Sequence, residues 1–422
     1  MEITILANGA LSDVRPILAL GKGLKGRGHS VRLLGRADLR SRIEPLGLEL
    51  APATQDVSAW MEEVTGQGLS EPAGFHRQSL ALKPYFARLG LGLMGEAWQA
   101  CQDASAVISG PWSDLYAASI AEKKGIRHLS AVVEPAWVAT ESGPSALGVP
   151  LPGRVSILNR LAGKRRLEPL RWSLMGDETN RFRQETLHLP PQTRRQSWQA
   201  LLRMPVVQGF SSHVIPHPGD WPPTIHTTGF WFLDEYPGWQ PPSDLLEFLA
   251  AGDPPVYVDL AVPPGGDPAG FARLVLEALE RCGQRAILPT GRFGREAGQR
   301  AGTILVLDSA PLAWLLPCVS VVVHGGDAAT TAECLRAGVP CVVVPRRAEQ
   351  VFWARRAADL GVAPPPLPGF KLTVESLASA VETALTDGDI RKCAALLGAK
   401  IRAEDGVNAA LDIIEAYLQA AN

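Results

Sequence analysis

Residues 319–350 read VSVVVHGGDAATTAECLRAGVPCVVVPRRAEQ, and their order decides the fold. Val319 to Val323 is a short apolar run rich in β-branched residues, the composition of a strand buried in a parallel sheet. His324-Gly325-Gly326-Asp327 is a turn. Thr330 to Ala337 has helical spacing, with good helix formers in Ala332, Leu335 and Arg336. Gly338 stands where a helix C-cap belongs, and Pro340 blocks continuation. Cys341 to Val344 is the next buried strand. A strand that enters a helix through a glycine turn aims backbone N–H groups and the helix dipole at one point, which suits a phosphate. Glu349 and Gln350 follow the second strand, at the edge where open α/β sheets bind ligands. The same pattern also fits an ordinary strand–helix–strand unit with no ligand.

The rhythm extends in both directions. Before the quoted stretch, Val256–Leu260, Arg285–Pro289 and Ile304–Leu307 read as strands, with Phe271–Cys282 a helix between the first two. After it come helices over 351–360, 374–385, 390–402 and 406–418. At the other end, Glu2–Ala7 is a strand, Pro16 opens a helix ended by Gly28, and Ser30–Leu34 is a second strand. Asp13, in the loop before that helix, fits two roles: general base, or N-cap of the helix. Asp38–Leu46, Leu80–Cys101 and Tyr116–Lys124 are expected helices, with strands at 106–109 and 127–133. Residues 52–76 and 134–153 are loop-rich and of the kind that lines a binding cleft. Ile157–Leu187 is a helix in which Arg165, Arg166, Arg171, Trp172, Arg181 and Arg183 read as a solvated face. Residues 226–244 (HTTGFWFLDEYPGWQPPSD) are a linker. The chain therefore divides into a domain at 1–225, a linker at 226–244 and a second domain at 245–405. A last helix at 406–422 is free to return to the first domain. Both domains are doubly wound parallel α/β units, expected to face a central cleft.

Composition narrows the function. The chain has 422 residues, 46% of them hydrophobic and 20% charged, with a net charge of −2. That balance speaks against a nucleic-acid partner. No apolar run reaches membrane-spanning length. The N-terminus starts directly with a strand pattern, not a basic segment followed by an apolar one. The six cysteines are scattered and form no CxxC pair. They read as free thiols in a reducing cytoplasm.

Three segments carry a family resemblance. Gly9 to Pro16 is similar to a G-S-R-G-D-V-Q-P loop. Residues 220–258 (DWPPTIHTTGFWFLDEYPGWQPPSDLLEFLAAGDPPVYV) resemble an interdomain passage, and residues 335–368 (LRAGVPCVVVPRRAEQVFWARRAADLGVAPPPLP) a donor-domain signature. Together they resemble the bacterial nucleotide-sugar glycosyltransferases of the GT-B fold, closest to the sterol-glucosyltransferase-like and macrolide or glycopeptide enzymes. The resemblance implies an inverting, metal-independent transfer of a sugar from a UDP- or TDP-sugar co-substrate, with no bound cofactor. It implies a lipophilic small-molecule acceptor (a sterol, polyketide or macrolide) in the N-terminal domain and the nucleotide sugar in the C-terminal one. Asp13 matches the base that takes the acceptor's proton. His324 matches a histidine that contacts the diphosphate, Gly326, Thr330 and Thr331 match donor-binding positions of the same motif, Glu349 and Gln350 a pair that grips sugar hydroxyls, and Trp314 a tryptophan near the nucleotide base. Gly9, Trp112 and Trp137 are expected against the acceptor.

The chain also departs from the pattern. Asp259-Leu260-Ala261-Val262 replaces G-F-G-S, and in H-H-G-G-A-G-T-T the second His is lost and Asp327 replaces a glycine. A carboxylate at a helix N-terminus satisfies the dipole that a phosphate would otherwise meet. A second reading follows: a protein of this fold with a lost donor site, acting as an auxiliary or performing other chemistry on a natural product.

Overall fold

The computed structural model describes residues 1–7, 11–55, 59–60, 80–135, 140–141, 156–234, 238–262, 266–290, 293 and 302–420, with the backbone alone at 11–13, 156–168 and 348. These residues fall into two compact units. One runs from the N-terminus to Leu233 and takes back Glu404–Asn422; the other runs from Asp234 to Ala403.

The first unit holds β1 (Glu2–Leu6), α1 (Leu11–Gly26), β2 (Ser30–Arg36), β3 (Glu49–Ala53), α2 (Lys83–Ala100), β4 (Ala106–Ser109), α3 (Asp114–Lys124), β5 (Arg127–Val132), α4 (Ser156–Glu185), α5 (Arg194–Arg203), β6 (Val206–Gln208) and β7 (Ile225–Thr227). Its strands pair in parallel in the order β3-β2-β1-β4-β5-β6-β7. The order reverses between β1 and β4. That reversal opens a crevice at the strands' carboxyl ends, where such sheets bind ligands. Ile3, Ile5, Leu33, Ile108 and Leu129 fill the core with Leu20 and Leu24 of α1. Even the polar positions between them, such as Thr4 in β1 and Ser130 in β5, are buried, because helices cover both faces.

Helix α5 is not expected from the sequence, strand β7 runs into the expected linker, and two expected helices differ in detail. The helix expected to open at Pro16 starts at Leu11, so Pro16 lies inside α1. Asp13 therefore sits in the first turn of α1, and the N-cap reading of it is set aside. Pro16 is the sixth residue of α1 and has no N–H to offer the Ser12 carbonyl one turn back. The expected helix over 38–46 is broken into a 3₁₀ turn at Ala37–Leu39, one α-turn at Arg40–Ile43 and a second 3₁₀ turn at Glu44–Leu46. Pro45, which lacks a donor, and Gly47 in the left-handed region end it.

The second unit contains α6 (Ser243–Ala250), β8 (Val256–Asp259), α7 (Pro268–Arg281), β9 (Ala286–Pro289), β10 (Ile304–Leu307), α8 (Leu312–Leu315), β11 (Val321–His324), α9 (Ala328–Ala337), β12 (Cys341–Val343), α10 (Ala348–Asp359), α11 (Val374–Thr386) and α12 (Gly388–Arg402). The strand order is β10-β9-β8-β11-β12, all parallel. Here the reversal lies between β8 and β11. Val256, Val258, Val321, Val323 and Val342 form the core with Leu276, Leu279, Leu377 and Val381 from the covering helices. Near-continuous valine runs are what a strand covered on both faces requires.

The last helix, α13 (Gly406–Gln419), packs in the first unit against α1. Ala410, Leu411, Ile414 and Leu418 complete that unit's core. A Cβ on Gly23 would stand 2.7 Å from Leu411 Cδ1, so the two helices approach at a glycine. Arg27 donates to Asp412 and Glu415 at 2.7 Å each.

Candidate functional site

The carboxyl end of β11 is the centre of the site. In the ladder His324 is level with Asp259 of β8 and with Val343 of β12. Gly326 has φ +91°, and a Cβ there would lie 2.7 Å from Val343 Cγ1 and 3.0 Å from the carbonyl oxygen of Gln350. Both the left-handed backbone and the lack of space demand glycine. His324 is fully buried. Its Nδ1 accepts from the Gly326 N–H at 3.1 Å, so the neutral ring carries its proton on Nε2. Nε2 is buried and has no hydrogen-bond partner. Burial pushes the ring's pKa down to about 4, against the opposing pull of the Asp327 carboxylate.

Asp327 is the N-cap of α9. Its Oδ1 accepts from the Thr330 N–H at 2.9 Å, and its backbone carbonyl accepts from the Thr331 hydroxyl at 2.7 Å. Thr330 and Thr331 are both buried in this first turn. Gly338, at φ +74°, closes the other end of α9 in the left-handed conformation that the sequence expects of a C-cap.

Gln350 approaches the same turn from α10. Its Oε1 accepts from the backbone N–H groups of Arg346 at 2.9 Å and Arg347 at 3.1 Å. Its Nε2 stands 3.3 Å from where a Cβ of Gly325 would be. Glu349 accepts from Arg347 Nε at 2.6 Å. Trp314 lies in α8, half-buried, with the Trp239 ring edge-on at 5.3 Å. The structure thus gathers His324, Gly326, Thr330, Thr331 and Gln350 around one turn, with Glu349 beside Gln350; Trp314 sits on the helix next to α9.

In the first unit, Gly9 and Trp137 lie outside the described residues, as do the side chain of Asp13 and most of the loops at 52–76 and 134–153. Trp112 follows β4, so its turn and the first turn of α1 flank the reversal of strand order in that sheet. Its ring stacks on Phe86 at 6.4 Å, and Phe86 meets Trp60 edge-on at 5.5 Å.

Beneath the Trp112 turn is a polar network that sequence reasoning missed. Ser109 Oγ donates to Asp114 Oδ1 at 2.5 Å and lies 2.7 Å from His128 Nε2. Arg171 Nη2 donates to Asp114 Oδ2 at 2.5 Å and to the Pro111 carbonyl at 3.2 Å. Burial pushes the His128 pKa down to about 4. The network fixes the turn that carries Trp112 to the middle of α4. It also corrects the reading of the α4 arginines as a solvated face. Arg171 is largely buried, and Arg183 is only 1% exposed, held by Glu122, Ser119 and the Pro190 carbonyl. Arg181, at 55% exposure, does face solvent. The available signal was Asp114 at a helix start, five residues after Ser109 at the end of β4.

Among the described residues, no group of three or more His, Cys, Asp or Glu side chains is placed to hold a metal ion. No described helix is long and apolar enough to cross a membrane.

Residues 286–409 match the family described as erythromycin biosynthesis protein CIII-like, C-terminal domain. Over 99% of its length the chain is 33% identical to the O-mycaminosyltylonolide 6-deoxyallosyltransferase of Streptomyces fradiae, of which it covers 98%. It is 30% identical to a sterol 3-beta-glucosyltransferase of Cryptococcus neoformans over 98% of this chain, which spans only 27% of that longer protein. Among solved structures, the glycosyltransferase VinC in complex with dTDP superposes with a TM-score of 0.70 at 15% identity, covering 99% of this chain and 100% of that one. The chain belongs to the GT-B glycosyltransferase family that includes the sterol glucosyltransferases and the macrolide glycosyltransferases.

Proposed function

We propose that this protein is an inverting, metal-independent glycosyltransferase that moves a sugar from a TDP- or UDP-sugar to a hydroxyl of a lipophilic acceptor such as a sterol, polyketide or macrolide. The observation that carries the reading is the end-to-end match to a deoxyallosyltransferase, covering 98% of that enzyme. The first unit takes the acceptor and the second the donor. The acceptor oxygen attacks the anomeric carbon from the face opposite the nucleotide. The new C–O bond forms as the bond to the diphosphate breaks, so configuration inverts. Asp13 takes the hydroxyl proton, which is worth roughly 10²–10⁴-fold in rate for a positioned general base. The nucleotide diphosphate leaves with the electron pair. The His324 Nε2–H, the Thr330 hydroxyl and the first-turn N–H groups of α9 are the donors suited to its developing charge. Gln350 Nε2 and Glu349 suit the sugar hydroxyls, and Trp314 the base. Gly9, Trp112 and Trp137 belong to the acceptor side.

The test is a transfer assay with TDP- and UDP-sugars against a panel of lipophilic alcohols, read by product mass and anomeric configuration. Expected are a glycoside of inverted configuration, an unchanged rate in chelator, and a loss of at least about 100-fold in kcat for Asp13→Asn at unchanged nucleotide affinity. A full rate in Asp13→Asn would remove the assigned base.

One observation favours a second reading. Asp327 already accepts the Thr330 N–H at the start of α9. On that reading the donor site is lost, and the first unit acts on a natural product without a sugar donor. It requires that a folded sample bind no nucleotide diphosphate at all.

A further inference from the structure

We propose that Asp327 is a resident anion of the donor site, competing with the donor's diphosphate and setting how tightly the nucleotide is held. The inference rests on the glycosyltransferase reading above.

A parallel sheet that reverses strand order between β8 and β11 offers one crevice at their carboxyl ends. In this crevice α9 presents its N-terminus, whose first N–H groups have no helical carbonyl to bond and whose dipole favours an anion. A second feature at the same turn calls for an acceptor. His324 Nε2–H is buried without a partner, while Nδ1 is fixed by the Gly326 N–H. Gly325 and Gly326 put no side chain into the turn; a Cβ would lie 2.7 Å from Val343 Cγ1 at Gly326 and 3.3 Å from Gln350 Nε2 at Gly325. The turn is therefore built for an anionic ligand. Within it, the Asp327 carboxylate takes the Thr330 N–H at 2.9 Å.

Two consequences follow for a ligand's phosphate. It meets a first turn in which one donor is already engaged, and it meets a negative charge in a half-buried setting where repulsion is poorly screened. A ligand part without charge, such as the base and ribose, meets neither. Asp327 therefore penalises the diphosphate and leaves the nucleoside alone. The residue also caps α9, so removing it outright weakens the helix. Serine at the same position keeps an N-cap oxygen without the charge, which separates the two roles.

The experiment is calorimetric titration of wild type, Asp327→Ser and Asp327→Ala with TDP, UDP, thymidine and uridine. Expected is a gain of about tenfold or more in affinity for at least one diphosphate in both variants, equivalent to about 1.4 kcal/mol, with nucleoside affinity unchanged. If a diphosphate binds wild type and Asp327→Ser equally, Asp327 does not compete and the inference falls while the glycosyltransferase reading stands. If no diphosphate binds any variant, although circular dichroism shows all three folded, both fall.

Discussion

His324 and His128 are both imidazoles stripped of water, one in each unit. Each has its pKa pushed down to about 4 by burial. In the unfolded chain each titrates near 6.5. Between those two values the unfolded state binds more protons than the folded one, so stability rises with pH across that window. It is fully present above about 6.5 and lost as pH falls toward 4. Each ring contributes at most about 3 kcal/mol to this loss, from the shift of roughly 2.5 units. Urea unfolding at pH 7 and pH 5 checks it: the midpoint is expected to drop at pH 5, and the drop to shrink in His128→Gln. An unchanged midpoint would mean the rings are not buried neutral. His324 was legible in the sequence because a valine run ending in His-Gly-Gly puts that residue at a strand's carboxyl end. Asp327 as a cap was legible as well, since an acidic residue before a helical run is a common start. The engagement of Gln350 was not legible. Its carbonyl serves the Arg346 and Arg347 N–H groups, a bond set by how the backbone turns after β12, which side-chain patterning does not encode.

Among elements, α13 carries the clearest consequence. It lies next to α1, although more than 380 residues separate Gly23 from the Val407 and Leu411 side chains it faces. Its apolar positions Ala410, Leu411, Ile414 and Leu418 belong to the core built on β1 and β2. Tyr417 donates to the His128 carbonyl at 3.1 Å, and the Arg127 guanidinium lies 5.1 Å from its ring centre. A chain ending at Ala403 leaves that core open. Hydrogen exchange on this truncation is expected to show lost protection in β1, β2, β4 and α1, with β8, β11 and β12 still protected. Uniform protection across both units would show that α13 is not needed. Most helices were marked by sequence, but α5 and α6 were not, and neither was the start of α1. Pro16 ordinarily marks a first turn, and the chain instead absorbs it one turn further in. The arginines of α4 misled for a related reason. Periodicity places Arg171 and Arg183 among polar positions but cannot say that Asp114 and Glu122 wait across the interface.

Taken whole, the molecule is two parallel α/β units, each with its own core. Each sheet reverses its strand order once, beside β1 in the first and beside β8 in the second. Valine-rich runs, glycine turns and C-cap glycines made this architecture readable, because each demands the same local backbone wherever it occurs. The chemistry is less readable, since it depends on whether the glycine turn after β11 admits an anion beside Asp327. Titration of the intact protein with TDP, UDP and GDP tests that directly. The account predicts that at least one diphosphate binds with a dissociation constant between about 1 μM and 1 mM, or roughly −8 to −4 kcal/mol. A folded sample that binds none of the three would contradict it.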